Sequence, residues 1–166
     1  MLHSNLESND VYRAHAELYE NGKSFSVDCG MKLFGGQTRF IKKKSYALKF
    51  SSKYGVSKLK YKVFDNRDFD KFDTLVVRSG SQDSEGSMFR DELATSIMND
   101  YGTVDVQGYK AVVLYINGKY WGVYFIREKV DETFIHNRYP DINDKDTNII
   151  RIDNVTTSGN NRPYYE

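Results

Sequence analysis

Two apolar runs separated by Asn117-Gly118 constrain this chain more than any other feature. They extend from Ala111 to Ile116 and from Tyr120 to Ile126, inside the stretch from Lys110 to Val130. Asn and Gly tolerate the positive φ that both central residues of a type I′ turn require, so the pair predicts a β-hairpin. Alternation puts Trp121, Val123 and Phe125 on one face of the second strand, and Tyr120, Tyr124 and Ile126 on the other. A strand that is apolar on both faces is expected to be covered on both, hence central in its sheet. It ends in three consecutive charges, Arg127-Glu128-Lys129, where a buried scaffold would present chemistry.

The same period of two recurs upstream. Val11 to Glu20 alternates as a half-buried strand, with Tyr12, Ala14, Ala16 and Leu18 on one face, and Asn21-Gly22 turns it into a partner from Phe25 to Phe34. Ser45 to Phe50 is a short strand in which Lys49 shares a face with Ala47. Leu59 to Phe64 reads as a short strand or arm, Asp65 to Asp73 as an exposed connection, and Phe72 to Arg78 as a β-branched strand. One main helix is predicted from Ser84 or Ser87 to about Tyr101, with Gly102 as its C′ residue. Phe89, Leu93, Ile97 and Tyr101 recur at i+4, so this stripe is expected to pack on the sheet. Arg90 falls inside the stripe and therefore needs an anionic partner, with Asp91 and Glu92 on its flanks. Asp131 to about Arg138 is a second, shorter helix, followed by an Asn- and Asp-rich stretch. The predicted class is α+β: a twisted, mainly antiparallel sheet with one main packed helix.

Composition narrows the function classes. Thirteen Tyr and ten Phe supply aromatic burial that suits strands. Lys and Arg number 24 against 23 Asp and Glu, so no net field recruits nucleic acid or anionic lipid. The single cysteine, Cys29, rules out an internal disulfide framework and reads as a small strand residue. No stretch approaches the roughly 20 apolar residues of a membrane span, and no signal-peptide pattern is visible at the N-terminus.

Few patterns carry chemistry by themselves. Tyr46-Ala47-Leu48-Lys49 has the form of the phosphate-pairing strand lysine of protein kinases, which needs a carboxylate on a nearby helix. No G-x-G-x-x-G precedes it; Gly35-Gly36-Gln37-Thr38 is the only glycine turn in that place, and neither H-R-D nor D-F-G occurs. The basic run from Arg39 to Lys49, interleaved with Phe40 and Tyr46, reads as a solvated edge strand rather than a nucleic-acid platform. Asp144 to Asn148 begins like a calcium loop, but Ile149 and Val155 stand where the glycine and the bidentate carboxylate belong. His3, His15 and His136 are scattered, with neither metal-ligand nor nucleophile–base spacing, and nothing resembles a serine or cysteine hydrolase site.

Five stretches, taken in order, resemble the spore coat protein H (CotH) kinase family. They are Cys29-Gly30-Met31-Lys32-Leu33-Phe34-Gly35-Gly36-Gln37-Thr38-Arg39, Lys43 to Phe50, Val77-Arg78-Ser79-Gly80-Ser81-Gln82-Asp83, Met88-Phe89-Arg90-Asp91-Glu92-Leu93, and Tyr115 to Lys129. The last, Y-I-N-G-x-Y-W-G followed by R-E-K, is the most specific. The resemblance implies a bacterial, secreted or surface atypical kinase that moves phosphate from ATP, with Mg²⁺, to Ser/Thr of a partner protein such as a coat protein. It implies a kinase-like N-lobe over residues 11–140, a disordered stretch or linker at 1–10, and the start of an incomplete C-lobe or a polar tail at 141–166. Lys49 is the implied phosphate contact, with Lys44 and Arg39 as rivals and Gln37 and Glu128 completing the nucleotide set. Arg78, Arg90, Asp91 and Glu92, with Glu128, are the implied ionic network. Catalytic aspartates and metal ligands are expected beyond Glu166, which leaves this portion inactive alone and apolar surface exposed near Tyr124, Phe125 and Phe134. The alternative is a non-catalytic surface, adhesion or coat-assembly module with a degenerate kinase-like fold.

Overall fold

Alternating strands pair into one six-stranded antiparallel sheet in the computed structural model, which describes residues 8–80, 83, 85–143, 146–150 and 156–159. Most of the 1–10 linker and the calcium-loop-like stretch lie outside the described residues, as does Ser84. The chain divides into two compact units, Met1–Glu128 and Lys129–Glu166.

The first unit holds β1 (Tyr12–Glu20), β2 (Lys23–Phe34), a 3-10 turn (Gln37–Phe40), β3 (Ser45–Lys49), a small pair formed by β4 (Leu59–Lys60) and β5 (Lys71–Phe72), then β6 (Thr74–Arg78), α1 (Arg90–Tyr101), β7 (Tyr109–Ile116) and β8 (Lys119–Glu128). The sheet order is β1-β2-β3-β6-β8-β7. Both Asn-Gly turns adopt positive φ: Asn21 at 25° and Gly22 at 80°, Asn117 at 50° and Gly118 at 73°. The second unit contains α2 (Glu132–Arg138) and a pair formed by β9 (Ile149–Ile150) and β10 (Thr156–Ser158). Asp131 caps α2, its carboxylate accepting the Phe134 N–H at 3.3 Å.

One face of the sheet carries the core. Cys29, Phe50, Phe64, Phe72, Leu75 and Ile126 belong to one buried cluster, and Leu33, Tyr46, Val77 and Tyr124 form a second. Each such side chain contributes about 2 kcal/mol by leaving water. Cys29 is fully buried, and burial pushes its thiol up to about 11, so it acts as a packing residue. The 65–73 connection is exposed at Asp65, Asn66, Asp68, Asp70 and Lys71, while its rings anchor it: Phe72 is buried and Phe69 packs beside it.

The strand of the basic run, β3, is interior between β2 and β6 rather than an edge, and three further expectations fail for identifiable reasons. First, strict alternation breaks in β8. The register shifts between Leu114 and Tyr115, and Gly122 takes φ of 96°. This bulge puts Tyr120 opposite Tyr115 and Tyr124 opposite Val112, hence on opposite faces of the sheet. β8 is interior to the sheet, yet only its second half is covered on both faces, and Tyr120 is 65% exposed.

Second, α1 turns its apolar stripe to solvent. Phe89, Leu93 and Ile97 are about half exposed and Tyr101 is 86% exposed, whereas Glu92 is buried. The opposite side of the helix carries Asp91, Glu92 and Thr95, which meet arginines of the sheet, so ionic pairing sets the rotation. Arg90, on the apolar stripe, is consequently exposed. The helix starts at Arg90 without a side-chain cap from its N-cap residue, Phe89. Asp83 instead accepts the Arg90 N–H at 3.2 Å and the Ser87 hydroxyl at 2.6 Å. At the other end Gly102 is extended rather than left-handed.

Third, Tyr124, Phe125 and Phe134 are buried. The exposed apolar groups are elsewhere, on α1 and on Val113, Tyr115, Tyr120 and Val123 of the last hairpin.

Candidate functional site

Alternation along β2, β3, β6 and β8 gathers cations on the sheet face opposite the core. Lys32 neighbours Ala47, Ala47 neighbours Val76, and Val76 neighbours Arg127 across successive strands. Lys49, beside Thr74, and Arg78, beside Phe125, flank this row. Four cations thus surround two small buried apolar residues, Ala47 and Val76.

α1 supplies the counter-charges. Asp91 pairs with Arg78 and lies 3.6 Å from Arg127 Nη1. Glu92 lies 3.7 Å from the same Nη1, and Arg127 Nη2 donates to Thr95 Oγ1 at 3.1 Å. Among the described residues neither Glu92 carboxylate oxygen meets a hydrogen-bond donor from another residue. Burial therefore raises the Glu92 carboxyl above the usual carboxylate range, with Arg127 opposing the shift. Burial likewise lowers the Arg127 guanidinium, and Arg78 beside it adds to the effect. The contact between helix and sheet is ionic. Arg90 stands apart from it, with its side chain 76% exposed and its Nε 3.1 Å from Asp83.

The residues implied as nucleotide contacts are not equivalent. Lys44 is buried, and its ammonium donates to the carbonyls of Arg39 and Ile41, both at 2.6 Å. Arg39 donates to the carbonyls of Gly35 and Ser8 and to Asn9 Oδ1. These two cations tie down the loop between β2 and β3. Gln37 is exposed in the 3-10 turn. Glu128 is buried, accepts the Gly108 N–H at 2.6 Å and lies 3.9 Å from Arg67. Its side chain shares the Leu75 face, the opposite one from Lys49, so the sheet separates the two. Lys49 is exposed, and among the described residues no hydrogen bond or ion pair engages its ammonium.

Arg127 is the hub that sequence reasoning saw only as part of a charged strand end. Its parity with Ala47 and Lys49 depends on the strand order, which the sequence does not show. The same applies to a polar cluster on the first hairpin. His15 stands between Asp28, at 2.6 Å from Nδ1, and Ser26, at 2.8 Å from Nε2, with Glu17 3.4 Å from the Ser26 hydroxyl. Cross-strand register brings together the three residue types of a hydrolase triad that spacing does not reveal. His15 and Asp28 are more than half exposed, so water rather than a cleft surrounds them, and the cluster is a cross-strand hydrogen-bond set.

A cavity of about 290 Å³ lies beside α1, lined by residues that include Asp65, Arg67, Asp100 and Lys110. Its lining carries charges of both signs and includes none of the implied nucleotide contacts. Among the described residues no group of three or more His, Cys, Asp or Glu is placed to hold a metal, and no helix is long and apolar enough to cross a membrane.

A family model described as CotH kinase protein matches residues 31–166. The match takes in β3, β6, α1 and β8, the elements that carry Lys49, Arg78, the Asp91–Glu92 pair and Arg127. No curated protein matched the chain in sequence.

Proposed function

This chain belongs to the CotH kinase family, and we propose that it supplies the nucleotide-binding portion of an atypical protein kinase acting on Ser/Thr of a partner protein at a spore coat or cell surface. The family gives it a kinase-like function; ATP, Mg²⁺, the partner and the location are the finer reading. One observation carries it. In protein kinases a strand cation pairs with a helix carboxylate beside the phosphates. Here arginines fill that pairing, Arg78 with Asp91 and Arg127 with Glu92, and among the described residues nothing engages the ammonium of Lys49 on the same face. The sheet with α1 bridged to β6 and β8 supports an N-lobe-like role for the first unit.

In this reading Lys49 meets the phosphates as a point charge, and Arg78 and Arg127 hold α1 in place. ATP supplies the transferable phosphoryl group and Mg²⁺ offsets its charge. Asp91 and Glu92 are already occupied by arginines, so metal-holding carboxylates must come from other residues. Phosphotransfer by this chain alone is therefore not part of the proposal.

The test is a thermal-shift titration with ATP in the presence and absence of Mg²⁺. A melting temperature that climbs with nucleotide concentration supports the reading. No shift with any nucleoside triphosphate would favour the second reading, a non-catalytic surface module, which the exposed Val113, Tyr115, Tyr120 and Val123 support.

A further inference from the structure

We propose that β7 is a dimerisation edge that pairs antiparallel with β7 of a second copy of this chain, about a two-fold axis at Val113. β7 ends the sheet, and among the described residues only β8 pairs with it. The Glu128 N–H bonds the Gly108 carbonyl, and Tyr109 lies opposite Arg127, which fixes the parity of the ladder. Lys110, Val112 and Leu114 direct their backbone groups at β8. Ala111, Val113 and Tyr115 direct theirs outward, where no strand among the described residues bonds them.

The two edges of the sheet differ in charge. β1 carries Arg13, His15, Glu17 and Glu20, the side chains that block edge pairing. β7 carries only Lys110, whose ammonium is already paired with Glu20. Val113 and Tyr115 are also 55% and 61% exposed, so the open backbone edge is lined by apolar surface.

Charge and size select a second copy as the occupant. A two-fold at Val113 sets Val113 against Val113 and the bulky Tyr115 against the small Ala111 of the copy. Lys110 then faces Ile116, so no like charges meet, and a formal net charge of +1 leaves little repulsion between copies. The outward donors and acceptors of Ala111, Val113 and Tyr115 satisfy one another. Pairing of this kind is isologous and closes at two copies, because each copy offers one uncharged edge and its other edge, β1, is charged. A single strand pair lies at the low end of interface size, so the dimer forms in a concentration-dependent way. The inference does not depend on nucleotide binding.

The test is sedimentation of the full chain over a range of concentrations, for the wild type, Val113→Pro and Val113→Lys. Wild type is expected to pass from monomer to dimer mass. Val113→Pro removes only an outward N–H, leaves the β8 ladder intact and weakens the dimer about tenfold or more. Val113→Lys abolishes it by placing two lysines together on the axis. Register is read by oxidation. Facing residues of a hydrogen-bonded antiparallel pair stand about 5.5 Å apart, so Val113→Cys cross-links. Val123→Cys, one strand inward on each copy and about 14 Å from its mate, does not. A monomer at every concentration, leaving the edge for a foreign strand, would overturn the proposal. So would a dimer indifferent to both Val113 substitutions, or cross-linking through Val123→Cys alone.

Discussion

Arg127 of β8 and Glu92 of α1 stand 3.7 Å apart with both side chains buried, and around this contact the helix is fastened to the sheet by charge rather than by its apolar stripe. A pair of this kind adds little net stability over an apolar replacement, but breaking it is costly, because the remaining charge has no water.

Arg127→Met should destabilise the protein by about 3 kcal/mol in urea unfolding, since Glu92 loses its nearest counter-charge. Adding Glu92→Leu to that variant should recover most of the loss. Equal destabilisation in the single and double variants would mean that the pair is not the source.

Stability should depend on pH through Glu92 with a definite sign. Its folded carboxyl is raised above the ordinary value of 4.5, so the folded state binds this proton more tightly than the unfolded chain. The resulting stabilisation is fully present below the unfolded value and is lost as pH rises through the folded one. Wild type should therefore gain stability relative to Glu92→Gln as pH falls from neutral toward 4.5. Asp83 has the opposite sign. The Ser87 hydroxyl, first, and the Arg90 N–H and guanidinium hold its carboxyl below the usual range. Its contribution is lost as pH falls through that lowered value, and Asp83→Asn should remove this acid-side loss.

Gly122→Ala should cost about 1–2 kcal/mol, because the bulge requires φ of 96° there. Nothing lies within 4 Å of the added Cβ, so the cost is backbone conformation alone. Gly122→Asn is the matched comparison and should cost less, because Asn tolerates positive φ better than Ala. Comparable losses in the two variants would count against the bulge.

The strands were largely legible from alternation and from the two Asn-Gly turns, since both signals are local. The bulge was not, because Gly122 sits in a run where every neighbour is apolar and parity has no marker. The rotation of α1 was misread for a different reason. Its i+4 stripe is genuine in sequence, but the choice of inward face was made by Arg78 and Arg127 on strands 12 or more residues away from Asp91 and Glu92. Lys44 and Arg39 share the basic character of Lys49 in sequence; only the carbonyls around them distinguish loop clamps from an unengaged cation.

The most direct test of the central claim is calorimetric titration of Mg²⁺-ATP into wild type, Lys49→Ala and Lys44→Ala. Lys49→Ala should bind about tenfold more weakly or worse while keeping wild-type stability, because a charge-assisted phosphate contact is lost from an exposed position. Lys44→Ala should keep its affinity and lose about 1–3 kcal/mol of stability, because two carbonyls lose their donor. Equal affinity in wild type and Lys49→Ala, or no binding by the wild type, would contradict the account.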